Sequence, residues 1–490
     1  MKPSLLLIAI LLPVIGGAVL PFLPFPSRKW QQVYMEGITI LTSLVLLGLI
    51  IGSPQGSFQA VNLAGALEIT FYMDGLSKVF VGIMALLWPF AMIYAFEYMK
   101  GDKKESRFFA FYIMTYGVAC GIAFAHNLMT LYMFYELLTF ITLPLVMHSM
   151  NKASISAGKQ YVFYSIGGAS FAFIGFMLIL GFGDSMQFVY GGVLSKEISG
   201  DLLLLFQGGY VISVIGFGVK SALFPLHGWL PVASVAPTPV TALLHAVAVV
   251  NAGAFAIMRM TYYSFGTHII KGSWAQDVVL LLTMITILYG SIRAVREQHL
   301  KRRLAYSTIS NLSYILFGVL LMTPDGMVAG TLHMVFHSLM KIVLFYCAGA
   351  ILHESKREYI FELTGLARKM PKLMVCFVIS AFALVGVPPL PGFLSKWYLL
   401  DAAITRGTVV TYMGMVVLMV SAFLSAIYLL TVVARVYLPR REFDYTSLGE
   451  VKDPNWYMIL PMALFSGMII ILGLYSVPLV EYLQVVALGR

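Results

Sequence analysis

Four titratable side chains lie inside long apolar stretches of this sequence. Glu136 stands in NLMTLYMFYELLTFITLPLVM and Lys220 in GFGVKSALFPLHGWLP. Lys341 stands in GTLHMVFHSLMKIVLFYCAGAIL and Lys396 in VGVPPLPGFLSKWYLL. A charge at the centre of a bilayer costs about 2.5–3.5 kcal/mol on insertion scales, so such residues usually face a bundle interior or water. The pattern predicts chemistry that moves an ion across a membrane.

Glu136 and Lys220 are predicted to lie near the middle of two helices. If those helices touch, the carboxylate and the ammonium stabilise each other's charged form. Separating the two groups would then change the proton affinity of the lysine, and the pair would act as a switch. The same residues could instead form a static ion pair that holds two helices together. These two residues alone leave both interpretations open.

His333, His337 and Lys341 follow one another at intervals of four residues. This spacing places them on one face of a helix, over about 12 Å at 1.5 Å per residue. Because histidine changes charge near neutral pH, such a ladder with water between its groups predicts a proton relay. A lone histidine would more often be a hydrogen-bonded core residue. Zinc binding by the two histidines lacks a third ligand, and no metal site is predicted.

Several other polar residues are weaker candidates for the same chemistry. Asp74 and Lys78 lie four residues apart in YMDGLSKVF, near a helix start, where simple anchoring explains them as well as transport does. His245 lies in the eighth apolar segment. Arg259 lies toward the end of that segment, where a long cation can extend its head to the membrane surface.

The composition requires these residues to be carried by membrane helices. The chain has 490 residues, of which 60% are hydrophobic and 11% charged, whereas an ordinary soluble domain carries about 25% charged residues. The N-terminal apolar run is too long for a signal peptide and is taken as the first span. The net charge of +10 fits contact with a lipid bilayer and gives no indication of nucleic-acid binding.

Electron transfer within the chain is not expected. Cys120, Cys347 and Cys376 are scattered through apolar segments without CxxC spacing, which is typical of small core residues. The sequence contains no haem, iron–sulfur or zinc signature. Neither a redox centre nor a hydrolytic centre is therefore predicted here.

Fourteen membrane spans are predicted, each long enough to cross the hydrocarbon core. They lie near 3–24, 33–53, 72–98, 108–125, 127–149, 159–182, 203–224, 238–263, 275–294, 301–323, 327–352, 373–404, 409–438 and 455–476. The longest connections, near 54–71, 183–202, 353–372 and 439–454, are predicted to be short loops, and no soluble domain fits between the spans.

Charge bias orients the predicted bundle. Twenty-two Lys and Arg residues lie in or beside the odd-numbered loops, against three in the even-numbered loops, namely Lys196, Lys271 and Arg406. Because basic loops stay on the cytoplasmic side, the odd loops are predicted to face the cytoplasm and both termini the outside.

Proline interrupts two of the spans. The seventh contains GFGVKSALFPLHGWLP and the twelfth contains VGVPPLPGFLSKWYLL, and each break lies beside a lysine, Lys220 or Lys396. Proline frees backbone carbonyls, which need a partner or a water-lined cavity inside a membrane. Paired broken helices indicate an inverted repeat with an ion site, although each could be an ordinary kink. Lys396 is the predicted outlet of a path that begins at Lys220.

These residues, in this order, resemble the antiporter-like subunits of respiratory complex I, the Mrp cation/proton antiporters and the membrane-bound hydrogenases. The motifs that carry the resemblance are MDGLS at 73–77, FYELL around Glu136, VKSALFPLHGWLPVASVAPTPVTALLHA at 219–246, LKRRLAYSTISNLSYI at 300–315, HMVFHSLMKIVLF at 333–345 and GVPPLPGFLSKW at 386–397. They extend from the third to the twelfth span.

The resemblance implies an all-α polytopic membrane protein with about fourteen helices and two inverted five-helix repeats, in which helices 7 and 12 are broken. Residues 1–107 would form helices 1–3, residues 108–263 the first repeat, residues 275–438 the second repeat, and residues 439–490 a cytoplasmic loop and helix 14.

The resemblance also implies roles for individual residues. The family's glutamate–lysine pair corresponds to Glu136 and Lys220, and its outlet residue to Lys396. Its central histidines and lysine correspond to His333, His337 and Lys341. One position departs from the pattern, because some subtypes carry a lysine where Asn251 stands here, and this puts the order of proton transfers in doubt.

The resemblance implies partners and a location as well. Other membrane subunits would complete a hetero-oligomeric complex in the cytoplasmic (inner) membrane of a prokaryote. Any iron–sulfur, flavin or nickel–iron centre would sit in partner subunits, some of them peripheral redox proteins, and no cofactor is expected in this chain.

Three functions compete at this point. The leading one is a proton-translocating subunit of a redox-driven complex, similar to complex I or a membrane-bound hydrogenase. The second is a subunit of a multi-subunit Mrp-type Na⁺/H⁺ antiporter without redox activity. The third, a structural anchor with a dead channel, is disfavoured by the intact run of titratable groups. Lysines and histidines suit protons better than sodium, which prefers oxygen ligands.

Overall fold

A computed structural model describes residues 2–65, 67–195, 198–439 and 443–489 of the chain. Three basic residues used to orient the bundle, Lys196, Arg440 and Arg441, lie outside these ranges. The α-helices, in chain order, are α1 (Leu5–Val19), α2 (Arg28–Gly52), α3 (Gly75–Tyr98), α4 (Glu105–Phe124), α5 (Leu128–Val146), α6 (Lys152–Phe182), α7 (Asp201–Gly218), α8 (Trp229–Ala233), α9 (Thr238–Ala246), α10 (Val249–Arg259), α11 (Thr267–Ile270), α12 (Trp274–Arg296), α13 (Leu300–Leu320), α14 (Pro324–Ser355), α15 (Pro371–Val385), α16 (Pro391–Arg406), α17 (Val409–Tyr437), α18 (Trp456–Leu474) and α19 (Val477–Ala487).

The helices confirm the predicted polytopic architecture. Among the described residues, twelve helical segments are long and apolar enough to cross a membrane. The tenth predicted span is α13, which has 21 residues but carries three cations and several hydroxyls that make it more polar. The twelfth is the pair α15 and α16, each too short alone. With these two additions, the described residues contain fourteen segments that could cross a membrane, in agreement with the number predicted.

The prediction of a simple loop at 54–71 is wrong. Strands β1 (Phe58–Ala64) and β2 (Leu67–Phe71) form an antiparallel hairpin there. The hairpin is held on the start of α5, because the backbone N–H of Thr70 donates to Thr130 Oγ1 at 2.9 Å and Asn127 Nδ2 donates to the Glu68 carbonyl at 2.8 Å. Beyond the fourteenth span, the structure adds the unpredicted short helix α19.

The two predicted helix breaks are present. Helix α7 ends at Gly218, and residues 219–228 are non-helical before α8 begins. The second break lies at 386–390, between α15 and α16. Side chains satisfy the freed carbonyls of the first break: Tyr135 Oη donates to Phe217 O, and Trp229 Nε1 donates to Val219 O, both at 2.8 Å.

A third break interrupts the eighth span and was not predicted. Helix α9 ends at Ala246 and α10 begins at Val249, and α10 continues into a π-helical turn, Met260–Phe265. No proline marks this break. Asn251 Nδ2 donates to the freed Ala246 carbonyl at 3.0 Å. This span is completely buried, so it forms the centre of the bundle together with α14.

A buried ion pair joins α3 to the eighth span, which overturns the expectation for Arg259. Arg259 does not extend to the membrane surface. It is 2% exposed, donates to both carboxylate oxygens of Asp74, at 2.8 Å to Oδ1, and lies over the Tyr263 ring at 4.6 Å. Lys78 does not partner Asp74, because its ammonium donates to Ser53 Oγ at 2.6 Å. Asp74 also caps α3 by accepting from the Ser77 N–H at 2.8 Å.

Asp74→Ala should destabilise the fold strongly. The variant leaves Arg259 buried without its counter-charge, and removing one partner of a buried pair costs about 3–5 kcal/mol. We expect a clear drop in the apparent unfolding temperature of the purified protein in detergent. Lys78→Ala, one turn further along the same helix, is the control and should change it little. Equal unfolding temperatures for the two variants would contradict the structural importance of the Asp74–Arg259 pair.

Candidate functional site

Lys220 lies in the first helix break with its side chain fully buried. Its ammonium donates to Thr139 Oγ1 and lies 4.2 Å from the centre of the Tyr135 ring. Both partners belong to α5, which also carries Glu136. The neighbouring Ser221 Oγ donates to the Val250 carbonyl of α10 at 3.1 Å. Lys220 is therefore positioned between α5 and α10 at the point where α7 unwinds.

Glu136 lies on the same helix as the partners of Lys220 but does not form a direct ion pair with it. Among the described residues, no ion pair of 4.0 Å or less joins the two. Glu136 is half-buried, and its Oε1 is buried without a hydrogen-bond partner in that part of the chain. The two charges still interact electrostatically. Lys220 thus contacts two side chains of α5, the helix that carries Glu136.

Asn251 connects the eighth span to α14. Besides its bond to the Ala246 carbonyl, Nδ2 donates to Ser338 Oγ at 2.8 Å, and Asn251 is fully buried. Two residues further along α10, a Cβ on Gly253 would lie 2.5 Å from Ser221 Oγ and 3.0 Å from Lys220 Cβ. Only glycine allows this close approach. Helix α10 therefore touches the Lys220 break with one residue and α14 with another.

His333 is held between two helices by its two ring nitrogens. Nε2 lies 3.2 Å from Asn311 Oδ1 on α13, and Nδ1 lies 2.9 Å from Ser395 Oγ on α16. Asn311 Nδ2 already donates to the Ser307 carbonyl at 2.7 Å. Because the amide oxygen can only accept, His333 Nε2 carries hydrogen and Nδ1 is free to accept from Ser395. His333 can therefore take up a proton on the α16 side.

Lys341 points into α13 rather than along its own helix. Its ammonium donates to Ser307 Oγ and, at 3.0 Å, to the Leu304 carbonyl, and the side chain is fully buried. Ser307 and Asn311 lie one turn apart on α13, so Lys341 and His333 contact neighbouring turns of the same helix. No carboxylate neutralises Lys341 in these contacts.

His337 lies between His333 and Lys341 on the same face of α14. The ring centres of His333 and His337 are 6.2 Å apart. Neither ring nitrogen of His337 has a hydrogen-bond partner among the described residues, and the residue is fully buried. A buried polar group normally has a partner, so these nitrogens are available to water or to a moving proton.

Lys396 caps the broken twelfth span. Its ammonium donates to the carbonyls of Leu384 and Val385, both at 2.8 Å, and these are the last two residues of α15. A cation is favoured at a helix C-terminus because the exposed carbonyls carry partial negative charge. The half-buried Lys396 follows Ser395, which contacts His333, so the break lies directly beside the His333 contacts.

The remaining candidate, His245, ends α9 and is fully buried. Its Nε2 lies 3.4 Å from Ser234 Oγ, and its ring centre is 4.7 Å from that of Phe345 on α14. Phe345 is one helical turn beyond Lys341. His245 is therefore beside the central ladder, on its Lys341 side.

We call the resulting set the buried polar line. Its members are Lys220, Asn251, Ser338, His337, Lys341, Ser307, Asn311, His333, Ser395 and Lys396. Sequence reasoning missed Ser307 and Asn311, together with Thr139 and Ser395. One signal was available, since Ser307, Ser310, Asn311 and Ser313 give the tenth span an unusual number of polar residues for a membrane helix.

Among the described residues, no group of three or more His, Cys, Asp or Glu could hold a metal ion.

Two family models match the chain. Residues 125–425 match the model described as NADH:quinone oxidoreductase/Mrp antiporter, TM. Residues 62–109 match the model described as NADH-Ubiquinone oxidoreductase (complex I), chain 5 N-terminus. The first match includes every member of the buried polar line.

Two curated relatives are each 30% identical to this chain. NADH-quinone oxidoreductase subunit N of Desulforudis audaxviator (strain MP104C) aligns over 375 residues, 76% of this chain and 73% of that protein. Na(+)/H(+) antiporter subunit A1 of Staphylococcus haemolyticus (strain JCSC1435) aligns over 423 residues, 82% of this chain and 51% of that protein. The chain thus spans about half the length of the antiporter subunit.

Solved structures share the fold. A chain of the membrane-bound sulfane sulfur reductase, described as an archaeal respiratory membrane complex, superposes with a TM-score of 0.85 and 21% identity, covering 99% of this chain and 97% of that chain. A chain of the Mrp complex from Dietzia sp. DQ12-45-1b superposes with a TM-score of 0.84 and 20% identity, covering 99% and 96%.

Asn311→Leu should disable the site while leaving the fold intact. Leucine has a similar volume but cannot accept from His333 Nε2, so the ring loses the contact that sets its protonated nitrogen. We expect the initial rate of proton uptake into membrane vesicles, followed with a pH-sensitive dye, to fall at least ten-fold. Ser313→Ala is the matched control, because Ser313 Oγ is buried on the same helix without a hydrogen-bond partner among the described residues. A normal rate for Asn311→Leu would remove Asn311 from the site.

Proposed function

This chain belongs to the NADH:quinone oxidoreductase/Mrp antiporter family of membrane proteins, and we propose that it moves protons along the buried polar line. It is an antiporter-like, proton-translocating membrane subunit. The finer proposal is that this subunit works inside a redox-driven membrane complex, in which partner chains supply the driving energy.

One observation carries the proposal of proton movement. Lys220, Lys341 and Lys396 are buried or half-buried cations, and none of them is within 4.0 Å of a carboxylate among the described residues. Their ammonium groups contact hydroxyls and backbone carbonyls instead. A lysine held by neutral acceptors keeps its contacts in either protonation state more easily than one locked to a counter-charge. This arrangement favours groups that gain and lose protons in turn.

The proposed order of transfer follows the contacts. Glu136 and Lys220 form the uptake end of the path, linked through Thr139 and Tyr135. Helix α10 connects this end to α14, where His337, Lys341 and His333 make the central ladder. Ser395 then connects His333 to the break that holds Lys396, the proposed outlet.

Asn251 fits this order without being a proton carrier. An amide does not titrate, so the central transfers fall to His337 and Lys341. Asn251 keeps α10 joined to α14 through Ser338, and it satisfies the Ala246 carbonyl at the break between α9 and α10. In this proposal it positions the relay.

The proposed location is the cytoplasmic membrane of a prokaryote. The basic loops face the cytoplasm and both termini lie outside, because the excess of lysine and arginine is on one side of the bundle. The domain proposal follows the same order: residues 1–107 before the repeats, 108–263 and 275–438 as the two repeats, and 439–490 at the end.

Two kinds of assembly are supported by different relatives. The similarity to subunit N of NADH-quinone oxidoreductase favours the redox-driven complex. The similarity to a Na(+)/H(+) antiporter subunit A1 favours the second candidate, a subunit of a multi-subunit Mrp-type antiporter without redox activity. Sodium would then cross elsewhere in the assembly, because the proposed path contains ammonium, imidazole, amide and hydroxyl groups and a single carboxylate, Glu136, rather than a cluster of oxygen ligands.

Purification of the native complex through a tag on this chain separates these two candidates. In the redox-driven case, iron–sulfur, flavin or nickel–iron subunits should co-purify, measured by metal analysis and optical spectra. In the antiporter case, the partners should all be small hydrophobic membrane proteins and the preparation should lack redox centres. The second result would overturn the leading proposal and keep the proton path.

Lys220→Ala should abolish or strongly reduce transport. The variant removes the only ammonium at the first helix break, so the uptake end of the path loses its proton carrier. We expect the initial rate of proton uptake in vesicles to fall at least ten-fold while the complex still assembles. Lys159→Ala, at an exposed position of α6, is the matched control. Normal uptake by a fully assembled Lys220→Ala complex would refute the relay.

A further inference from the structure

A cavity at the basic end of the bundle has in its wall Ser234, whose hydroxyl contacts His245. Its volume is about 640 Å³, and its wall includes Asp102, His148, Ser234, His299, Lys301 and Glu358. We call it the vestibule. The residues come from the connections after α3, α5, α8, α12 and α14 and from the start of α13, so the vestibule is built by both halves of the chain.

Two histidine–carboxylate pairs line the vestibule. His148 Nε2 lies 3.1 Å from Asp102 Oδ2, and His299 Nε2 lies 3.3 Å from Glu358 Oε2. Burial lowers the pKa of His148 and of His299 from the usual histidine value, against the opposing effect of each carboxylate. Both imidazoles are therefore mainly neutral at pH 7 and can accept a proton, while the carboxylate beside each stabilises the imidazolium that results.

Ser234 separates the vestibule from the interior of the protein. It is 4% exposed, lines the cavity, and its Oγ lies 3.4 Å from His245 Nε2 on the buried side. Lys301 holds the turn that follows Ser234, because its ammonium donates to the Ala236 carbonyl at 3.1 Å. The Ser234 hydroxyl therefore lies between the vestibule and the fully buried imidazole of His245.

His245 faces the central ladder from its other side. Its Nδ1 is buried without a hydrogen-bond partner among the described residues, and the charges of Lys341 and Lys301 both act on it. On the α14 side, the His245 ring packs against Phe345, one helical turn beyond Lys341, with 4.7 Å between the ring centres. The function proposed above leaves His245, Ser234 and the vestibule without a task.

We infer that the vestibule is a second proton entrance, which loads Lys341 through Ser234 and His245 while Lys220 is loaded at its own helix break, and that each transport cycle needs both protons, so that blocking either entrance stops transport. This inference rests on the proposed proton transport. The proton is captured in the vestibule by His148 or His299 and passes through cavity water to Ser234 Oγ. The Ser234 hydroxyl gives its own hydrogen to His245 Nε2 as it accepts one from that water. His245 is then an imidazolium. It becomes neutral again when its Nδ1 proton leaves toward a deprotonated Lys341. The net result is the transfer of one proton from the vestibule to Lys341.

The inference makes Ser234 a positioning and transfer residue that can be tested directly. In vesicles whose basic end faces the medium, Ser234→Ala in the intact complex should lower the initial rate of proton movement at least ten-fold, and Ser234→Thr, which keeps a hydroxyl, should retain most of it. Ser149→Ala is the matched control, because exposed Ser149 lines the same cavity. An assembled Ser234→Ala complex with the wild-type rate would overturn the inference.

A labelling experiment tests the same path without relying on the alanine variant. A charged methanethiosulfonate reagent added to the basic side should react with Ser234→Cys and block transport, and should react with Ser149→Cys without blocking it. The native cysteines, Cys120, Cys347 and Cys376, are buried and do not line the vestibule, so they should not interfere. Failure to label Ser234→Cys, or labelling without loss of rate, would overturn the inference. Absence of proton movement in the wild-type complex would instead refute the proposed function itself.

Discussion

The structure depends on the rule that polar groups inside a membrane must find partners within the protein. Three spans are broken in the part of the chain that the structure describes, and each break frees backbone carbonyls from helical hydrogen bonds. Tyr135 donates to a carbonyl at the break after α7, Asn251 to one at the break after α9, and Lys396 to one at the break after α15. The breaks and their partners therefore depend on each other, because a broken helix without these contacts would leave unsatisfied carbonyls inside the bundle.

The same rule explains why the proposed relay is built from lysines on neutral acceptors. At the twelfth span, Lys396 is both the hydrogen-bond partner of two helix-end carbonyls and the proposed outlet. At α13, Lys341 contacts one hydroxyl and one carbonyl. The Asp74–Arg259 pair differs from these lysines, because each of its charges is neutralised by the other. Asp74 also caps α3, and Arg259 packs against aromatic rings. A charge-matched pair is suited to holding helices together, whereas an unmatched cation is suited to changing its protonation state.

Much of this architecture could be predicted from the sequence. Hydropathy placed the spans, since a bilayer demands about twenty apolar residues wherever a helix crosses. Proline and neighbouring lysines identified two of the three breaks. Spacing placed His333, His337 and Lys341 on one helix face. The break at Ala246 could not be predicted, because it contains no proline and is stabilised by the amide of Asn251, five positions away, which looked like an ordinary polar substitution.

The sequence by itself determined which charges are buried and on which spans they lie, because the cost of a charge in lipid is a property of the local sequence. Only the tertiary structure decided their partners. It joined Arg259 to Asp74, directed Lys341 into α13, brought Lys220 against Thr139 and Tyr135, and set Ser234 between a cavity and His245. These contacts join residues up to 185 positions apart. Helix packing creates such contacts, and no periodicity within a single span encodes which neighbour a side chain will meet.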